Sequence, residues 1–161
     1  MKGNKKVVAA LNELLADELA ARDQYFIHSR MLGEWGLHHA ATRIAHEVED
    51  ETAHAAALIS RILFLEGTPD MVPSKISVGK DIADMFGKDL AVELQVVDNL
   101  RKAMALCEHE HDYVTRDLLL KMLIDTEIDH AHWLEQQLRL IDMVGLPNYL
   151  QSQLKDGGAT G

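Results

Sequence analysis

Two short motifs of the same form, Glu51-Thr-Ala-His54 and Glu127-Ile-Asp-His130, recur in this chain, and a single glutamate lies well upstream of each, Glu18 and Glu93. Residues three apart on an α-helix lie on one face, about 4.5 Å apart along the axis, so each motif offers a carboxylate and an imidazole to one point. Two further helices would add one carboxylate each. Four-helix bundles use this donor set to hold two metal ions, so the pattern predicts such a bundle with a two-metal site.

The spacing of apolar residues predicts four long helices. Apolar side chains recur at steps of three, four or seven, as from Val8 to Met31, and predict helices over about 5–34, 38–66, 81–109 and 114–144. Gly33 and Gly36 close the first helix, and Asp112 is the predicted N-cap of the fourth. Residues 148–154 predict a short fifth helix, and residues 1–4 and 156–161 are expected to be flexible.

One long loop, residues 67–80, separates the second predicted helix from the third and contains Pro69, Pro73 and Gly79. A helix of about 28 residues spans about 42 Å, and about fourteen extended residues reach about 46 Å. The loop can therefore cross from one end of the bundle to the other. The sequence predicts a single all-α domain, an antiparallel four-helix bundle with one long crossover.

Composition excludes several classes of function. The net charge of -10, with no basic stripe, argues against a nucleic-acid partner. The chain contains no run of eighteen apolar residues, so no membrane span is predicted. Cys107 is the single cysteine, which excludes an intrachain disulfide, and it is expected to be a small apolar filler of the third helix. We therefore expect a soluble, cytoplasmic protein that binds no nucleic acid and no membrane.

The position of the motifs along the helices separates them from chance matches. All six groups fall roughly 22–28 Å from the adjacent turn, near the middle of a bundle roughly 45 Å long. A third match, Glu108 to His111, lies at a predicted turn and is interpreted as a solvated helix end. The alternative for the six is a set of surface charges, but Glu18 lies between Leu15 and Leu19, and a buried carboxylate without a partner is costly.

The donor chemistry favours iron or manganese. Carboxylates with only two imidazoles and no thiolate suit these metals, whereas zinc would support no redox chemistry there. Motif symmetry allows Glu51 and Glu127 to bridge the two metals, with the other four groups binding one metal each. Those four are Glu18, Glu93, His54 and His130.

Over nearly its whole length the chain resembles the bacterioferritins. The matching segments are residues 12–15 (NELL), 24–31 (QYFIHSRM), 35–37 (WGL), 61–67 (RILFLEG), 111–114 (HDYV), 133–135 (WLE) and 148–151 (NYLQ). The resemblance implies the ferritin-like fold and a closed shell of about 24 subunits built from two-fold dimers. It also implies iron storage with ferroxidase activity, in which oxygen or peroxide oxidises paired ferrous ions and ferric mineral collects in the cavity. The di-iron ligands of the family fall on Glu18, Glu51, His54, Glu93, Glu127 and His130.

Further residues match functional positions of the family. His46 and Asp50 match an inner-surface pair that passes iron to the mineral, and their i, i+4 spacing puts them on one face, where a plain ion pair is the alternative. Tyr25 matches a tyrosine that supplies an electron to the di-iron centre, although a core aromatic is equally compatible with the pattern. Asn148 and Gln151 match polar residues at the four-fold pore.

The chain departs from the family at the haem position. Bacterioferritins bind haem between two subunits through a Met from each, immediately after the ligand Glu of the second helix, and Thr52 occupies this place. A hydroxyl is a poor ligand for haem iron, so no haem is expected unless Met31 or another group compensates. The resemblance also implies shells mixed with a Met-bearing, haem-binding subunit, and a ferredoxin-type reductant for iron release.

Two other functions are compatible with the bundle. A di-iron oxidase or peroxidase like the rubrerythrins would consume peroxide without storing iron, but the chain has no Cys-x-x-Cys iron site for electron delivery. A scaffold without catalytic activity would not need an intact set of metal ligands.

We predict that a shell of this chain alone shows no Soret band with bis-thioether character after haem loading, because Thr52 offers no thioether sulfur. Absorption spectroscopy of the haem-incubated, desalted protein measures this. Binding of about one haem per dimer would contradict it.

Overall fold

The computed structural model describes residues 1–154, and long helices dominate this part of the chain. The helices are α1 (Lys5–Glu34), α2 (His38–Phe64), α3 (Ile82–His109), α4 (Tyr113–Asp125), α5 (His132–Val144) and α6 (Leu146–Ser152). A π-helical turn, Thr126–Ala131, joins α4 to α5. The predicted all-α, ferritin-like four-helix bundle with a short C-terminal helix is confirmed. The predicted flexible segment 156–161 lies outside the described residues.

Neighbouring helices of the bundle run antiparallel. Gly3, just before α1, donates its N–H to Leu65 O just after α2, so residues 1–4, expected to be flexible, contact the end of α2. Asn4 at the start of α1 also donates to Glu110 at the end of α3. Gly36, with φ of 79°, makes the tight turn between α1 and α2, a conformation that costs glycine little.

The crossover, residues 65–81, follows α1 along its length. Near the start of α1, Asn12 donates to Thr68 O, and further along Ser74 donates its N–H to Ala16 O. The loop therefore carries the chain from one end of the bundle to the other, as its reach predicts. Asp81 then caps α3 by accepting from Asp84 N–H.

A buried polar group ties the end of the crossover to α1 and α3. His28 Nδ1 lies 2.9 Å from Asp89 Oδ2, and His28 Nε2 accepts from Gly79 N–H at 2.9 Å. Because Nε2 accepts, Nδ1 carries the proton and donates to the carboxylate. Gln24 donates to the same carboxylate and accepts from Ser77 N–H. The loop is thus held by side chains from the bundle interior.

Two apolar clusters fill the bundle, one toward each end. One includes Leu11, Leu15 and Leu58, together with buried Cys107 as expected; the other includes Phe86 and Tyr149. Buried polar residues of α1, α2 and α3 lie at the level between them. The bundle therefore surrounds a polar layer with packed hydrocarbon on both sides, which keeps water away from it.

The fourth long helix is not continuous, although the sequence predicts one helix over 114–144. Asp112 caps it as predicted, accepting from Thr115 N–H, and α4 ends at Asp125. Residues 126–131 then form the π-helical turn. Apolar periodicity does not reveal a π turn, because a single extra residue per turn changes the spacing only locally.

No helix within residues 1–154 is long and apolar enough to span a membrane.

We predict that His28→Ala loosens the crossover, because it leaves the Gly79 N–H buried without a partner and the Asp89 carboxylate with Gln24 alone. An unsatisfied buried group costs about 1–3 kcal/mol. Limited proteolysis with mass mapping is expected to show faster cleavage within residues 74–80, and denaturation a lower midpoint. His109→Ala, at an exposed position, is the matched control. Equal cleavage of the two variants would contradict the prediction.

Candidate metal centre

Five of the six predicted ligands meet in the polar layer between the two apolar clusters. α1 contributes Glu18, α2 contributes Glu51 and His54, α3 contributes Glu93, and the π turn contributes His130. None of the five is more than 8% exposed. The helices hold these side chains at one level, although the residues are far apart in sequence.

Glu51 lies at the centre of the cluster, between the two imidazoles. His54 Nδ1 is 3.3 Å from Glu51 Oε2 and 3.3 Å from Glu18 Oε2. His130 Nδ1 is 2.9 Å from Glu51 Oε1 and 3.5 Å from Glu93 Oε1. The five residues therefore form two ligand groups that share Glu51, and within each group the ligand atoms lie within 4.8 Å of one another. Each group has the donors to hold a cation, and Glu51 would be shared between the two groups.

The outer nitrogen of each imidazole faces another carboxylate. His54 Nε2 is 2.9 Å from Asp125 Oδ2, and His130 Nε2 is 2.8 Å from Glu47 Oε2. Glu47 is buried and also contacts the guanidinium of Arg43. Sequence reasoning missed both carboxylates. Glu47 could have been found, since it precedes Glu51 by four residues and so shares its helix face.

Burial and neighbouring charges shift the pKa values of the groups in the cluster. Burial and the neighbouring Glu51 raise the pKa of Glu18 well above its usual value, and burial raises that of Glu93. Burial opposes the charged forms of both histidines, but their carboxylate partners raise the pKa of His54 and of His130 to about 11. Burial also disfavours the ionised form of Glu51, yet hydrogen bonds from Glu18 and the imidazoles lower its pKa. Protons therefore supply the positive charge that three buried carboxylates require.

The residues present fit a pair of metal ions. Glu18 Oε1 is buried without a hydrogen-bond partner, so this ligand atom of the cluster is unsatisfied within the protein. The donors are carboxylate oxygens and imidazole nitrogens without thiolate, a set that suits iron or manganese. Binding two divalent cations would replace the protons and satisfy this oxygen.

Tyr25 extends the cluster by one side chain. Its hydroxyl donates to the Glu93 carboxylate, and the ring is buried. Burial and the charge of Glu93 raise the pKa of Tyr25 well above its usual value, so the phenol keeps its proton. The structure thus places Tyr25 in direct contact with the ligand cluster rather than only in the apolar core.

Glu127 is placed differently from the sequence prediction. Its carboxylate lies 2.6 Å from Arg101 Nη2, and the two side chains are 39% and 59% exposed. On an α-helix, residues three apart share a face, but a π turn holds more residues, so the same step leaves them on different faces. Because Glu127 and His130 both lie within the π turn, His130 points inward and Glu127 points outward.

Comparison with known proteins identifies the family of this chain. The ferritin family, described as a ferritin-like domain, matches residues 8–144. The chain belongs to this family. It is 60% identical over 155 residues to the bacterial ferritin of Synechocystis sp.. This match covers 96% of this chain and 99% of the relative. It is 55% identical over 154 residues to the bacterial ferritin of Neisseria meningitidis serogroup B, with 96% and 100% covered. The bacterioferritin of Mycolicibacterium paratuberculosis is 38% identical over 150 residues, with 92% and 94% covered.

Other residues predicted from the ferritin resemblance lie outside the ligand cluster. His46 Nε2 is 3.6 Å from Asp50 Oδ2, and the same carboxylate oxygen is 3.6 Å from His130 Nε2. This pair therefore lies beside the cluster, on its outer side. Thr52 is exposed and donates its hydroxyl to Val48 O.

The third motif and the pore positions lie at helix ends. Glu108 pairs with Arg116, and His111 lies 3.2 Å from the Tyr113 hydroxyl, so this end of α3 has the character of a solvated turn. Asn148 and Gln151 are exposed on α6, where their assignment to a pore remains a prediction.

We predict that divalent cations displace protons from the cluster. With pKa values of about 11, His54 and His130 are protonated near neutral pH, whereas a bound imidazole must be neutral, so the affinity for Zn²⁺ rises with pH. Calorimetry in buffers of different ionisation enthalpy is expected to show about three protons released per pair of cations, one from each imidazole and one from Glu18. His109→Ala should release the same number and His54→Ala about one fewer. A heat that does not depend on the buffer would contradict this.

Proposed function

We propose that this ferritin stores iron and oxidises Fe(II) to Fe(III) at the cluster of Glu18, Glu51, His54, Glu93 and His130. The observation that supports this most strongly is the sharing of Glu51 between two buried ligand groups. Two ferrous ions held this close together can deliver two electrons to one oxidant, which reduces dioxygen to the level of hydrogen peroxide.

The chain's own residues account for the binding and charge balance of this reaction. Glu18 and Glu93 bind at opposite ends of the cluster, and Glu51 bridges between them. The protons on the imidazoles and on Glu18 leave as the cations enter, so the buried charge stays balanced. Tyr25, which donates to Glu93, is placed to supply a further electron to the centre.

Three further residues predicted to bind iron, Glu127, His46 and Asp50, are also part of the proposal. Glu127 would join the centre only after leaving Arg101, a partly exposed ion pair that is worth at most about 1 kcal/mol. His46 and Asp50 would pass iron from the centre toward the mineral, because the Asp50 carboxylate lies between His46 and His130.

The assembly is part of the same proposal and is supported by membership of the family. We propose a closed shell of about 24 subunits, formed either of this chain alone or of this chain mixed with a haem-binding subunit. A cytoplasmic location and a ferredoxin-type reductant for iron release complete the proposal. Ferric mineral would collect inside the shell as the product of the oxidation.

Anaerobic ferrous titration followed by air tests the assignment of the site. Glu18→Ala removes a ligand that no neighbouring carboxylate replaces, so the initial rate of oxidation should fall by more than the ~10–100-fold typical of losing an outer-shell partner. Glu13→Ala, an exposed glutamate of the same helix, is the matched control and should match the wild type. Equal rates for Glu18→Ala and the wild type would defeat the assignment.

Native mass and iron content separate storage from the rubrerythrin-like alternative. A large assembly that takes up far more than two irons per subunit supports storage. A small oligomer that consumes peroxide and retains no more than the irons of its centre would favour the oxidase.

A further inference from the structure

We propose that Asp125 is a positioning residue of the metal centre, which holds the His54 ring so that Nδ1 faces Glu18 and Glu51. The inference rests on the proposed function in taking His54 as a metal ligand. Asp125 belongs neither to the Glu-x-x-His motifs nor to the ligand set that the resemblance implies.

The hydrogen bond between Asp125 and His54 fixes the roles of the two ring nitrogens. Asp125 Oδ2 lies 2.9 Å from Nε2, and a carboxylate only accepts hydrogen bonds, so Nε2 carries a proton. Once a cation displaces the other proton, the lone pair of Nδ1 points at the space shared with Glu18 and Glu51. A rotated ring would lose this bond and turn a carbon atom toward the cation.

A similar contact, without the geometry of a hydrogen bond, occurs at the second imidazole of the centre. His130 presents Nδ1 to Glu51, and its Nε2 lies 2.8 Å from the carboxylate of Glu47. The two rings are stacked with centroids 5.9 Å apart. Each imidazole is therefore held between an inner and an outer carboxylate, and Asp125 has the place at His54 that Glu47 has at His130. An outer carboxylate of this kind orients the ring and makes it a stronger ligand.

The π turn explains why Asp125 is available for this role. Asp125 is the last residue of α4, and the π turn begins at Thr126. In a π turn, residues five apart become neighbours along the helix, so Asp125 comes toward the face that carries His130. The wide turn that moves Glu127 outward thus brings Asp125 against the centre.

Asp125 also connects α4 to α2, whereas Glu47 is itself a residue of α2. Glu47 lies on α2 together with Glu51 and His54, whereas Asp125 reaches His54 from α4. Its side chain is 43% exposed, so removing it opens little space in the core. A variant at this position should therefore change the orientation of His54 without unfolding the bundle.

Anaerobic titration of the full-length assembled protein with Co²⁺, followed by visible absorption, tests the role. We expect Asp125→Ala to weaken the binding of one of two Co²⁺ ions by ~10–100-fold and to change its absorption spectrum. Asp125→Asn keeps an oxygen that accepts from Nε2 but loses the charge, and should recover most of the affinity. Asp117→Ala, an exposed aspartate of the same helix, should behave as the wild type. Native mass shows whether each variant still assembles.

Two results of the titration would overturn the inference. Equal losses in Asp125→Ala and Asp125→Asn would show that Asp125 acts through its charge alone. Unchanged binding in Asp125→Ala would show that it has no role.

Crystal structures of the wild type and of Asp125→Ala test the inference independently of metal binding. A rotated His54 ring in the variant supports it, and an unchanged ring overturns it. Fewer than two Co²⁺ ions per wild-type subunit, together with a rotated ring in the variant, would refute the proposed function and leave the positioning role standing.

Discussion

The burial of carboxylates at the middle of the bundle is the constraint on which the rest of the structure depends. Glu18, Glu51 and Glu93 are removed from water, and their charges repel unless protons or cations compensate them. His54 and His130 meet this requirement within the protein, which is why their pKa values rise to about 11 despite burial. A buried group of this kind costs stability unless its charges are compensated.

Apolar packing in the bundle offsets that cost in stability. Apolar clusters on both sides of the polar layer supply the stabilising burial, and the layer receives its groups from four separate elements. The crossover, held by His28 and Asp89, leaves α3 antiparallel to α1, so Glu93 comes opposite Glu18. Asp125 and Glu47 then fix the outer nitrogens of the imidazoles. The geometry of the cluster therefore also depends on carboxylates that contact the imidazoles from outside.

Much of the fold was predictable because its signals are local. The predicted bounds of α1 agree with the structure, and the predicted N-cap Asp112 does accept from Thr115 N–H, because periodicity and capping depend on neighbouring residues. The crossover was predictable from its length alone. The spacing also predicted that the ligands lie at one level of the bundle, and five of them do. Glu127 lies on Arg101 instead of in the cluster, because the chain makes a π turn where the prediction assumed an α-helix.

Spacing along the chain was enough to predict the helices, the crossover and the pattern of acids and imidazoles at the bundle centre. Which side chains meet is set by the folded chain. It placed Glu127 on Arg101, brought Asp125 to His54, and set Glu51 between the two imidazoles. These pairings depend on the local width of one helical turn and on packing between helices, and neither is encoded in the spacing of residues along a single element.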